Sequence, residues 1–130
     1  MTRDDVQRWL DAYVEAWRSY EPGAIGALFA ADAEYRYQPY LEPVVGRDAI
    51  VADWLQEPDP SESWSAHYAP FAVEGDHAVA VGESRYLQPD GSFRTLFYNV
   101  WLLRFDDDGR CTEFVEYWRE LPESRRSAVS

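Results

Sequence analysis

The sequence predicts an α+β domain in which helices come first and cover one face of an antiparallel sheet. Two observations carry this. Apolar residues recur at helical spacing as far as about residue 55, and from about residue 64 the pattern changes to period two. The later connections "EGDH", "QPDGS" and "DDDGR" each hold the Gly and Asp that tight hairpins need, so the last four strands are expected to form a meander.

Each element can be justified in turn. Val6, Trp9, Leu10, Tyr13, Val14 and Trp17 form one helical stripe, with Thr2 and Asp5 as a capping-box-like start. Pro22 suits the first turn of a second helix, whose apolar stripe is Ile25, Leu28 and Phe29. Residues 33–38 alternate as a short strand that Pro39 ends. Gly46 and Asp48 open a third helix carrying Ile50, Val51, Trp54 and Leu55. After the polar break "EPDPSES", strands are expected at about 64–73, 78–88, 93–106 and 111–119. Residues 1–122 read as one domain and 123–130 as a loose tail.

Composition narrows the function. The 130 residues are 46% hydrophobic and 16% aromatic, enough for one core without staples. No apolar run approaches the roughly 20 residues of a membrane-spanning helix. The opening "MTRDDVQRW" lacks the apolar core of a signal peptide, and the single cysteine, Cys111, excludes an internal disulfide, so a cytoplasmic location is expected. A net charge of −12 disfavours nucleic acid and anionic membranes as partners. All twelve basic residues are arginine, which removes lysine Schiff-base chemistry. His67 and His77, one of them in a turn, make no zinc motif, and there is no phosphate loop or G-x-S-x-G. Neither metal nor cofactor is expected.

The segments "AYVEAW…IGALFAADAEY", "VVGRDAI" and "LLRFDDDGRCTEFVEYW" resemble the nuclear-transport-factor-2-like superfamily, in particular its small SnoaL-like and ketosteroid-isomerase-like members. The resemblance covers most of residues 6–119. It implies a cone-shaped curved antiparallel sheet wrapped around three N-terminal helices, with a pocket between the first and third helices and the sheet. It also implies a homodimer through the outer sheet face. Ketosteroid isomerases use a helix-1 tyrosine and a protonated aspartate as an oxyanion hole, and an aspartate as base. The tyrosine falls on Tyr13. The base position falls on Tyr37, or on Gln38 with a slip of one, and the second donor position falls on Trp101. These departures argue against steroid isomerisation by that mechanism.

Alternation on the last strand sets Thr112, Phe114, Glu116 and Trp118 on one face, which the resemblance turns inward, and Cys111, Glu113, Val115, Tyr117 and Arg119 on the other. Glu116 between two aromatics is a candidate acid/base, since desolvation raises a carboxyl pKa. Its alternatives are a wet glutamate at the mouth of the cone, or one paired to Arg36 or Arg85. Tyr13 is a candidate oxyanion donor. Tyr35, Tyr37, Trp17, Trp54, Asn99, Trp101, Phe114, Trp118 and His67 are candidate ligand contacts. Asn99 could instead bond a neighbouring side chain, and Cys111 reads as structural.

Two function classes follow. One is a cofactor-free acid/base enzyme of isomerase, cyclase, dehydratase or hydrolase type acting on a small apolar or cyclic molecule. The other is a non-catalytic ligand-binding or dimeric interaction module. A third possibility is a cone filled by its own aromatic side chains.

Overall fold

The computed structural model describes residues 1–129. The helices precede the sheet. Helix α1 spans Arg3–Ser19, α2 Pro22–Gly26 and α3 Arg47–Trp54. Strands β1 (Phe29–Arg36) and β2 (Val44–Val45) lie among them, and β3 (Trp64–Glu74), β4 (His77–Leu87), β5 (Phe93–Phe105) and β6 (Cys111–Glu120) follow. The six strands form one curved, unclosed sheet in the order β2-β1-β6-β5-β4-β3. The meander from β3 to β6 is antiparallel as expected, whereas β1 runs parallel to β6.

Local chemistry explains the boundaries. Thr2 caps α1, its hydroxyl accepting from the Asp5 amide while the Asp5 carboxylate accepts from the Thr2 amide. Val6, Trp9, Leu10, Tyr13 and Ala16 form the buried stripe of that helix. Helix α2 stops at Gly26, so Leu28 and Phe29 are not on its stripe. Both are buried, Leu28 in a turn and Phe29 at the start of β1. Spacing of 25, 28 and 29 suits a helix, but a turn entering a strand buries the same residues. Strand β1 is thus longer and earlier than the expected 33–38, and β2 was not foreseen.

Two further expectations change. Cys111 does not share the outward face of Glu113. A bulge on β6 pairs Cys111 with Phe105 and Glu113 with Arg104, which brings the thiol into the core. Burial pushes that thiol up to about 12, so it stays protonated. The C-terminal segment, expected to be loose, carries a 3-10 helix over Glu123–Ala128, held by Arg126 to Glu120 at 2.8 Å. Ser130 lies outside the described residues. Among those residues no helix is long and apolar enough to cross a membrane.

The core sits between α1 and the inward face of the sheet. Trp9, Tyr13, Phe29, Phe105 and Phe114 are its large members, packed edge-on or tilted at ring distances of 5.4–6.2 Å around Trp9 and with Tyr13 stacked on Phe114 at 5.7 Å. One end of the domain is filled this way. The other end is open.

Candidate functional site

The open end holds a cavity of about 520 Å³ lined from every layer of the fold. Helix α1 contributes Tyr13 and Trp17, and Tyr20 follows at its C-cap. Helix α3 contributes Asp53 and Trp54, and the segment after it Gln56, Glu57 and Asp59. The sheet supplies Tyr35, Tyr68, Ser84, Tyr86, Phe97, Asn99, Trp101, Glu116 and Trp118, with Tyr37 just beyond β1. The aromatic side chains leave this volume unfilled, contrary to the filled-cone possibility.

Glu116 stands on the cavity wall opposite Trp101 in the β5–β6 ladder. Its Oε2 accepts a 2.7 Å hydrogen bond from the Trp101 indole Nε1. Burial raises the Glu116 carboxyl from the ordinary glutamate range to about 7, and the Trp101 bond opposes this in part. Neither arginine considered as a structural partner reaches it. Arg36 donates to the Leu41 carbonyl, and Arg85 donates to that of Val129.

A tyrosine pair lies on the inner wall. The Tyr13 and Tyr35 hydroxyls are 2.6 Å apart and both side chains are buried. One hydroxyl hydrogen is used inside the pair, so the other remains free to donate into the cavity. Burial first, then neighbouring groups, holds both phenols well above their ordinary value. They are hydrogen-bond donors at neutral pH, never bases. Beneath them, Phe114 stacks on Tyr35 at 4.1 Å and is fully covered. It therefore supports the wall and does not line the cavity, because the two tyrosine rings lie over it.

Tyr37 is half-exposed, and its hydroxyl donates to Asp53 of α3. Burial and that bond raise its pKa, which removes it as a proton acceptor. Trp17 stacks on Trp64 at 3.7 Å and donates from Nε1 to Asp59 at 3.1 Å. Trp54 packs edge-on against Tyr13 at 4.9 Å. Asn99 follows its alternative: its amide donates to the Tyr68 hydroxyl at 2.8 Å and to Ser84 at 3.3 Å, so both amide hydrogens are committed. His67 is exposed and absent from the wall, since its neighbour Tyr68 points inward and alternation sends His67 out.

Several wall residues had not been singled out. Tyr68 stacks on Trp101 at 4.0 Å, and period two on β3 would have offered it as the alternative to His67. Tyr86 and Ser84 share the inward face of β4 by the same rule. Tyr20 takes a left-handed backbone (φ 52°) at the end of α1, where its hydroxyl accepts from the Asp59 amide at 2.9 Å. A non-glycine residue there is costly and stays only where other contacts fix it. Nothing in the sequence signals that contact. Among the described residues no group of three or more His, Cys, Asp or Glu side chains is placed to hold a metal ion.

A curved sheet closed at one end by helices and open at the other over an aromatic cavity places the chain in the nuclear-transport-factor-2-like class of α+β domains. Residues 10–114 match the family model of the SnoaL-like domain, and the chain belongs to that family. Among solved structures, its fold is similar to that of Δ5-3-ketosteroid isomerase from Mycobacterium sp., with a TM-score of 0.66 and 18% identity over 88% of this chain and 93% of the other. It is also similar to a Mycobacterium tuberculosis protein solved in complex with estradiol-17β-hemisuccinate, with a TM-score of 0.67 and 15% identity over 86% and 92%. No curated protein matches the sequence.

Proposed function

We propose that the protein is a cofactor-free acid/base enzyme of isomerase, cyclase, dehydratase or hydrolase type, acting on a small apolar or cyclic molecule in this cavity. The observation that carries the reading is Glu116, a carboxyl on the cavity wall whose pKa of about 7 lets it both take and return a proton near neutral pH. The Tyr13–Tyr35 pair is the complementary electrophile, its free O–H donating to an oxyanion that develops on the substrate. Trp54, Trp101 and Trp118 hold the ring system, and their apolar surface keeps bulk water from the reacting centre. The steroid ring system that both neighbours' names contain is of a size that a cavity of about 520 Å³ suits.

A second reading has its own support. Neither position where ketosteroid isomerases keep carboxylates holds one here: the first falls on Tyr37, or on Gln38 with a slip of one, and the second on Trp101, while Tyr37 is tied to Asp53. A cone that binds without converting would look like this. A panel of small ring compounds, scored by tryptophan fluorescence and by mass spectrometry of products, separates the two. Turnover that falls about 10²–10⁴-fold in Glu116→Gln while binding persists supports the enzyme. Unchanged turnover overturns the role of Glu116, and binding with no product for any compound supports the module.

The same reading includes a homodimer. Tyr98, Val100, Leu102 and Tyr117 are exposed together on the outer face of β5 and β6, with Arg119 beside them. Such a patch on a sheet face fits a partly polar, self-complementary interface.

A further inference from the structure

Charge in the cavity has one sign. The acidic side chains on its wall are Asp53, Glu57, Asp59 and Glu116, and none of the twelve arginines lines it. Two guanidiniums lie against rings at the margin of the wall without lining it: Arg18 is 4.1 Å over the Trp64 ring, and Arg94 is 5.3 Å over that of Tyr86.

Three of these carboxylates are each joined to an aromatic wall residue. Trp101 donates its indole N–H to Glu116, Trp17 donates its own to Asp59, and the Tyr37 hydroxyl donates to Asp53. Each bond leaves the second carboxylate oxygen available. Among the described residues no side chain donates to Glu116 Oε1. The Trp101 ring is itself covered, stacked on Tyr68 at 4.0 Å, so that pair offers its carboxylate, whereas Tyr37 and Trp17 keep open ring surface that donation to an anion makes more electron-rich. An electron-rich aromatic face beside a carboxylate is the environment that attracts an organic cation, whose apolar skin loses little on leaving water. The same wall repels an anion and gives an uncharged ring only its apolar contacts.

We infer that the cavity takes a cationic ligand, an amine or quaternary ammonium on a small apolar or cyclic frame, seated among these three aromatic–carboxylate pairs. This rests on the cavity being a small-molecule site and adds the charge of the molecule it selects. In the complex the cation lies beside Glu116 and favours its ionised form, so Glu116 acts as the proton acceptor.

The test uses the full chain and three probes with one frame and three charges: benzyltrimethylammonium, its uncharged isostere neopentylbenzene, and phenylmethanesulfonate. Tryptophan fluorescence reports binding, with calorimetry as a check. The expected order is cation, then neutral, then anion, with the cation at least tenfold tighter than the isostere. Glu116→Gln should reduce that preference while leaving the neutral probe bound. The wild-type comparison stands alone if the variant does not fold. A neutral or anionic probe binding as tightly as the cation overturns the charge assignment and leaves the small-molecule reading intact. No binding by any of the three overturns both.

Discussion

Two opposed effects set the pKa of the Glu116 carboxyl. Removal from water disfavours the carboxylate, and the Trp101 N–H favours it. Desolvation is the larger. Trp101→Phe keeps an aromatic ring and deletes the donor, so the Glu116 pKa should rise from about 7 to a higher value; side-chain carboxyl NMR reads this directly. The position was legible in the sequence because period two puts Glu116 on the same face as Phe114 and Trp118. Its donor was not, nor were the partners of Tyr37 and Trp17. Those bonds join β6 to β5, and helix α1 and the residue after β1 to the segment 53–59. Sequence spacing says which face a residue occupies, but not what lies across the cavity from it.

At the scale of elements, the β3–β4 ladder shows how backbone makes room for the site. Gly82 sits opposite Tyr68, and a Cβ there would lie 2.2 Å from the His67 carbonyl oxygen and 2.3 Å from Tyr68 Cδ1. Glycine in a strand marks such an approach. Gly82→Ala should therefore destabilise the fold by about 1–3 kcal/mol in urea titration and displace the Tyr68 ring from Trp101. An unchanged midpoint would mean that the two strands separate freely there. At the start of α1, Thr2→Ala should cost about 1 kcal/mol through loss of the cap. The sequence revealed that cap because its two partners are three residues apart. It concealed the bulge at Cys111, since a one-residue irregularity changes the face of a side chain without changing composition. The helix-like spacing through Leu28 and Phe29 misled for the related reason that a short apolar run fits both periods.

For the molecule as a whole, the fold was legible almost throughout. Long-range order follows from helices that need a cover and from hairpins whose turns are written in Gly and Asp. Oligomeric state is a separate matter of the outer face. Light scattering should find a dimer at micromolar concentration, and Leu102→Glu, placing a charge in the exposed patch of β5, should yield a folded monomer. A monomer in the unmodified protein would contradict the interface. Stability should also depend on pH through Glu116. Its folded pKa lies above the unfolded value, so its contribution is fully present below about 4.5 and is lost as pH rises through about 7. Glu116→Gln should flatten that part of the unfolding curve and gain about 1–3 kcal/mol relative to wild type at pH 8. The claim on which the enzyme reading depends is the titration of this one carboxyl. Glutamate side-chain ¹³C NMR, with Glu116 assigned by its absence in Glu116→Gln, should give a midpoint near 7; a midpoint in the ordinary range near 4.3 would contradict the account.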